Sequence, residues 1–275
     1  MTFANQTIWI TGASSGIGAA LARAFAAQGA RLVLSGRNEA ALSEVAAACG
    51  ETLVLPFETT DYAALPALAD NAWDWRGGVD VLVNNAGISQ RALAVDTAFG
   101  VYQRIVDVDL LAPIALTQAI LPRMVAQGSG RLAFVSSVAG KVGVPLRTAY
   151  CAAKHGLIGY ADALRAETAH LGLKVHVLVP GSIRTDVSRN ALTADGSARG
   201  MSDSAIDNGI DPDEAAAQML AAMLAGEREI VIAQGVEQQM GETRRTPDAV
   251  FDQVAALMAR GYAERMKAGS GGVEP

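Results

Sequence analysis

Apolar runs punctuate the chain at 7–11, 31–35, 52–57, 79–84, 131–136, 174–179 and 229–233, and most are apolar throughout rather than at alternate positions. Strands covered on both faces of a parallel sheet have this pattern. The segments between them carry the three-to-four-residue period of amphipathic helices. A helix is expected over 19–28, closed by Gly29, and another from the N-cap Asn38 to Cys49. A third should run from a cap at Thr60 or Asp61 to about Asp74. The stretch up to Gln127 is mixed, helical in pattern and broken near Pro113. A long helix is expected over 148–171 and a last one over 247–260. Asp211-Pro212-Asp213-Glu214 opens one more, with a cap, a proline at N1 and acids in the first turn. Met219 and Met223 share a face of it, as core residues do. This alternation predicts an α/β fold, a doubly wound parallel sheet of about seven strands, in a single domain over 1–267 with a Gly/Ser-rich tail at 268–275.

The pattern weakens over 188–210, which is polar and rich in Gly and Asp. Loops of this length in a compact domain are usually functional or disordered. This one follows the carboxyl end of a strand, where ligands bind in such sheets. It reads as a lid over a substrate.

Composition narrows the function. The 275 residues are 51% hydrophobic and 18% charged, with net charge −6. No basic surface favours nucleic acid. Cys49 and Cys151 make no disulfide framework. No apolar run reaches the roughly 18 residues that span a bilayer, and the start lacks the marks of a signal peptide. The expected location is the cytoplasm, without a membrane partner. His155, His170 and His176 lack metal-ligand spacing, so no metal is expected. Trp73 and Trp75, beside Gly77-Gly78, are read as covering a helix end, and Arg244-Arg245 as a solvated pair.

Three motifs carry chemistry. Tyr150 and Lys154 are four apart, on one face of a helix. A free tyrosine has a pKa of about 10, and an ammonium a few Å away favours the phenolate. Such a pair can exchange a proton at a hydroxyl or carbonyl carbon. Gly12-Ala13-Ser14-Ser15-Gly16-Ile17-Gly18 joins the first strand to the first helix. Glycine there lets backbone approach a pyrophosphate, and the helix N–H groups face the phosphates. Ser35-Gly36-Arg37 ends the second strand with no acid to hold a ribose hydroxyl. A guanidinium can instead fork onto a 2′-phosphate, which favours NADP(H) over NAD(H).

In order and spacing these motifs resemble the short-chain dehydrogenase/reductase family of the 250-residue, Rossmann-like type. The match covers about 5–235 and includes Asn84-Asn85-Ala86-Gly87, Ser136-Ser137-Val138-Ala139-Gly140 and Pro180-Gly181-Ser182-Ile183-Arg184-Thr185. Residues 190–197 also resemble the dehydrogenase/reductase member-seven branch, some of which carry a membrane anchor; none is expected here. The resemblance implies that Ser137 polarises the substrate oxygen and that Tyr150 is the acid–base. It implies that Lys154 favours the phenolate and holds the nicotinamide ribose. Ser14, Ser15, Ile17, Asn38 and Ala86 join the coenzyme set. Asn85 and Gly87 would line the adenine ribose, and Glu58 with Thr59 the adenine edge. Pro180, Gly181, Ile183 and Thr185 would hold the carboxamide end. A homodimer or homotetramer through 101–127 and 148–171 is implied as well.

One residue departs from the family. Its fourth catalytic residue is an asparagine in a V-N-L-type segment, and here the segment is Val108-Asp109-Leu110. In the family the main-chain carbonyl at that place holds a water that links to the lysine, and this role survives substitution. The side chain loses its donors. An ionised Asp109 near Lys154 would partly cancel the lysine's field at the phenol and give an alkaline optimum for oxidation. A protonated or capped Asp109 would be harmless.

The sequence therefore predicts an NADP(H)-dependent oxidoreductase acting on a secondary alcohol or a ketone. Its pocket would be formed by 137–147, the lid and the residues after Gly87. Val142, Val144, Pro145, Leu146 and Leu192 point to an apolar substrate. A dinucleotide sensor with little turnover has only Asp109 in its favour. A nucleotide-sugar epimerase would want more chain after Pro180.

Overall fold

The computed structural model describes residues 2–243 and 248–261. Arg244-Arg245, the start of the last helix at Pro247 and the tail from Ala268 lie outside the described residues. Seven strands form one sheet: β1 (Thr7–Thr11), β2 (Arg31–Ser35), β3 (Thr52–Val54), β4 (Val81–Asn84), β5 (Gly130–Val135), β6 (Leu173–Pro180) and β7 (Glu229–Ile232). The order is β3-β2-β1-β4-β5-β6-β7 and every pairing is parallel. The doubly wound α/β fold expected from the apolar runs is the fold observed.

Because β-strand side chains alternate between faces, each strand feeds two cores. Ile8, Ile10, Leu32, Leu34, Val81 and Val83 pack under α1 (Gly16–Ala27), α2 (Glu39–Ala47) and α8 (Pro212–Ala225). Trp9, Val33, Leu82, Leu132 and Phe134 pack under α3 (Leu65–Asp74), α5 (Ala112–Gln127) and α6 (Thr148–Thr168). Each such fully buried side chain contributes about 2–3 kcal/mol. Met219 and Met223 are core, as expected. Cys49 and Cys151 are free and buried. His176 is buried on β6, and desolvation pushes its pKa down to about 4, so it packs as a neutral ring. Trp73 and Trp75 lie beneath the Arg123 and Arg76 guanidinium groups.

Several boundaries move for local reasons. α1 begins at Gly16 rather than Ala19, so the glycine loop includes the first helical turn. β3 is short, Thr52–Val54, but its bonding to β2 continues: Leu55 N–H donates to the Leu34 carbonyl at 2.9 Å and Phe57 N–H to the Gly36 carbonyl at 3.0 Å, with Pro56 between them on an edge strand that needs no N–H there. α3 starts at Leu65, with its proline in the first turn, and neither Thr60 nor Asp61 caps it. α9 (Gly235–Glu242) was not anticipated, and α10 is Asp248–Ala259.

Pro113 does not break the mixed segment. α4 (Phe99–Val106) passes through one π-helical turn, Asp107–Leu111, into α5. Pro113 sits in the first turn of α5, where a missing N–H is tolerated. The joined run Phe99–Gln127 is 29 residues long, and its most apolar 18-residue stretch has mean hydropathy 1.6. That corrects the expectation that no apolar run reaches membrane-spanning length. Its inner face, Val101, Ile105, Asp109, Leu116, Ile120 and Met124, is buried against the rest of the fold, as in a core helix. The 188–210 segment is ordered around short bridges and α7 (Ser204–Asp207), and Leu192 pairs with both Gln90 and Ala198.

Candidate active site

The strand order reverses between β2 and β4, on either side of β1, and a crevice opens at the carboxyl ends of strands at such a point. A cleft of about 680 Å³ lies there. Gly12, Ser14, Ser15, Gly16 and Ile17 line it, as do Arg37, Glu58, Thr59, Asn85, Ala86 and Gly87. Asp109, Ser137, Tyr150, Lys154, Pro180, Gly181, Ile183 and Thr185 line it too. Residues far apart in sequence thus share one cavity.

The glycine loop is shaped by contacts that admit no side chain. Gly12 has φ +64°, and a Cβ there would meet Ala86 Cα at 2.8 Å. Gly18 is not among the lining residues; a Cβ on it would strike the Gly12 carbonyl oxygen, so its place is the packing of α1 on the loop. Thr11 was not foreseen. Its Oγ1 accepts the Asn85 and Ala86 N–H groups at 3.0 and 3.1 Å, which binds the β4 turn to β1. Asn85 Nδ2 donates to the Thr11 carbonyl at 2.9 Å. A loop with no room for Cβ atoms beside an open cleft fits a pyrophosphate.

At the far end, Arg37 Nη1 lies 3.6 Å from Glu58 Oε2, both groups being exposed. Asn38 does not line the cleft; its side chain caps α2 by accepting from Ala41 N–H at 3.1 Å. Gln103 and Arg104 of α4 line this end and were not foreseen. On the opposite side, Glu237 of α9 accepts the Ser182 N–H at 2.7 Å and its hydroxyl at 2.9 Å, which braces the 180–185 loop.

Ser137, Tyr150 and Lys154 meet in the middle. Ser137 follows β5, and its Oγ accepts the Ala139 N–H at 3.1 Å, which leaves the hydroxyl free to donate. α6 presents Tyr150 and Lys154 one turn apart. Lys154 Nζ lies 5.6 Å from the centre of the Tyr150 ring and donates to the Val135 carbonyl at 3.0 Å. Ser136 Oγ donates to the Lys154 carbonyl at 3.0 Å.

Asp109 is fully buried within the π turn. Its Oδ1 accepts the Ile88 N–H at 2.8 Å, and its Oδ2 is 3.2 Å from Lys154 Nζ. Burial pushes the Asp109 pKa above the usual carboxylate range, against the pull of the Lys154 charge. Burial alone would lower the Lys154 pKa, but Asp109 and Tyr150 outweigh it and the ammonium is held above its ordinary value. Lys154 thus lies between the Asp109 carboxyl group and the Tyr150 ring.

The substrate end differs in part from expectation. Ile88, Val187, Asn190 and Ile206 line it, and the last three come from the 186–210 region. Val142 packs against the sheet core, and Leu192 is buried against Val101, Ile105 and Ala149. Val144, Pro145 and Leu146 do not line the cleft. Among the described residues no group of three His, Cys, Asp or Glu is placed to hold a metal ion.

Comparison with known proteins agrees with this geometry. The family model described as short chain dehydrogenase matches residues 6–196. Dehydrogenase/reductase SDR family member 7B of Danio rerio is 41% identical over 239 residues, covering 83% of this chain and 77% of that protein. A short-chain dehydrogenase from Streptomyces avermitilis superposes with a TM-score of 0.75 at 26% identity, covering 98% of this chain and all of the other. In fold alone the chain also matches a short-chain dehydrogenase/reductase from Burkholderia phymatum in complex with NAD, with a TM-score of 0.76 at 21% identity over 100% and 99% of the two chains. A nicotinamide dinucleotide is the coenzyme of this fold. With the family model matching residues 6–196 and Ser137, Tyr150 and Lys154 gathered beside the glycine loop, the chain belongs to the short-chain dehydrogenase/reductase family and resembles its member-seven branch.

Proposed function

We propose that the protein is an NADP(H)-dependent oxidoreductase that interconverts a secondary alcohol with a ketone or aldehyde by hydride transfer, with Tyr150 as the acid–base. The observation that carries this reading is the convergence of Ser137, Tyr150 and Lys154 in the same cleft as the glycine loop. The coenzyme would supply or accept the hydride at its nicotinamide ring. Gly12, Ser14, Ser15, Gly16 and Ile17 would hold its pyrophosphate, and Asn85, Ala86 and Gly87 its adenine ribose. Pro180, Gly181, Ile183 and Thr185 would fix the carboxamide end.

In reduction, Ser137 donates a hydrogen bond to the substrate carbonyl oxygen, and Tyr150 gives that oxygen its proton as the hydride arrives at carbon. In oxidation the phenolate takes the proton back. Lys154 favours the phenolate through its charge and is in place to hold the ribose hydroxyls. Asp109 shares that charge and so weakens its effect on the phenol, which sets an alkaline optimum for oxidation.

The choice of NADP(H) rests on Arg37. It is exposed, its ion pair with Glu58 is long, and no acid stands at Gly36 to repel a 2′-phosphate. Ile88, Val187 and Ile206 favour a largely apolar substrate, with Asn190 as a polar contact. Exposed Phe99 and Leu111 on the α4–α5 run support a homo-oligomer through that face, and we place the protein in the cytoplasm.

A screen of NADPH consumption over aldehydes, diketones, steroids and aromatic ketones tests the reading. One substrate class should turn over, and Tyr150→Phe should lower kcat by at least about a hundred-fold. A phenylalanine variant as active as the parent would refute it.

A further inference from the structure

Gln90 lies on the strap of chain that follows Gly87, and it is fully buried. Its amide is engaged at both ends. Oε1 accepts the Ala149 N–H at 2.9 Å, and Nε2 donates to Thr97 Oγ1 at 3.0 Å. A backbone N–H can only donate, so the amide can face one way only. Thr97 Oγ1 in turn donates to the Leu93 carbonyl at 2.7 Å.

Ala149 is in the first turn of α6, immediately before Tyr150. First-turn N–H groups have no partner inside their own helix. The N-cap residue Arg147 makes no side-chain cap bond, and Ala149 itself is fully buried. Gln90 therefore supplies, from a different part of the chain, a cap that the helix does not make for itself.

The same strap reaches the other site residues. Ile88 N–H is held by Asp109, which contacts Lys154. Arg91 N–H donates to the Leu192 carbonyl at 2.9 Å, and Leu192 N–H donates to the Ser89 carbonyl at 2.8 Å. The Arg91 guanidinium is paired with Asp203 at 2.7 Å. Within the four residues 88–91 the strap thus reaches Asp109 beside Lys154, the tyrosine's helix and Leu192 of the 188–210 segment.

We propose that Gln90 is a positioning residue for the reaction: by holding the first turn of α6 it sets where the Tyr150 hydroxyl sits, and the strap that carries it ties the lid to the same point. This rests on the reading of Tyr150 as the acid–base. Without the acceptor, the buried Ala149 N–H must find another partner, and the turn shifts to reach it. A shift of about 1 Å at a reacting group lowers rates by about a hundred-fold.

The test compares Gln90→Met, which keeps the length but loses the acceptor, with Gln90→Glu, which keeps it. The measurements are kcat and KM for a ketone that the parent reduces, NADPH affinity by fluorescence, and thermal melting. Gln90→Met is expected to lose about ten- to a hundred-fold in kcat, with KM and NADPH affinity within about two-fold. Gln90→Glu should recover most of that kcat. Parental kcat in Gln90→Met overturns the proposal, as does an equal loss in both variants. Tyr150→Phe, run in the same series, separates the two ideas. An active phenylalanine variant means the acid–base reading has failed, whereas an inactive one beside an unimpaired Gln90→Met means only the positioning role has. Should Gln90→Met melt below the assay temperature, Thr97→Val removes the nearer acceptor of the amide Nε2, together with the Thr97 bond to the Leu93 carbonyl, and leaves Oε1 in place. A several-fold fall in kcat at constant KM then supports the proposal, and an unchanged kcat overturns it.

Discussion

On the glycine-loop side of the cleft the walls are backbone against backbone. Gly12, Gly18, Ala86 and Asn85 approach so closely that an added methyl has nowhere to go. On the lid side the backbone bonds between Leu192 and the strap are joined by side-chain pairs. Asp203 takes Arg91 and Arg199, with Arg147 at 3.5 Å, and Ser188 Oγ meets Ser202 Oγ at 2.8 Å. The first kind of wall has one geometry and tolerates no extra volume. The second is held in part by polar side chains that can exchange partners with water.

That contrast can be broken most severely at Gly18. Gly18→Ala drives a methyl into the Gly12 carbonyl and is expected to destabilise the fold by about 3 kcal/mol and to abolish measurable coenzyme binding. Gly143 on the 137–147 loop has open space around a Cβ and no left-handed φ. Gly143→Ala should leave melting temperature and NADPH affinity unchanged. If the two alanines behave alike, the distinction between the walls is wrong.

A smaller effect is expected on the lid side. Asp203→Asn deprives the largely buried Arg91 of its anion. The expected loss is about 1–3 kcal/mol, seen as a lower melting temperature. The KM for substrate should rise about five- to ten-fold, taking most of that loss at roughly ten-fold per 1.4 kcal/mol, with NADPH affinity unchanged. An effect on coenzyme affinity instead would place the latch in the other half.

The finest probe lies where the halves meet. Asp109→Asn removes a negative charge 3.2 Å from Lys154. With that charge gone, more of the lysine's field reaches the phenol, and the oxidation profile should move to lower pH. Superimposable profiles for parent and variant would show that the carboxylate carries no charge in the working enzyme.

The parts that could be read from the sequence are those where local chemistry leaves little choice. The strands at Thr7–Thr11 and Arg31–Ser35 were legible because parallel strands covered on both faces are apolar throughout. The spacing of Gly12, Gly16 and Gly18 announced a tight strand-to-helix loop, and the spacing of Tyr150 and Lys154 announced that they share one face of a helix. The π turn at Asp107–Leu111 was hidden because Pro113 signals a break whether it ends a helix or opens one. Val142 and Leu192 were assigned to the pocket because an apolar loop residue looks the same whether it faces a ligand or the core.

By itself, then, the sequence determined the layer order of the fold, and it singled out the glycine loop and the Tyr150–Lys154 pair as candidates, since each depends on residue type at fixed short spacing. Only the tertiary structure decided that Asp109 is sealed beside Lys154, that Thr11 binds the Asn85 turn, and that Gln90 caps the helix of Tyr150. Those contacts join residues 45 to 74 positions apart. No periodicity records such a pairing, because it exists only once the sheet has brought the carboxyl ends of its strands together.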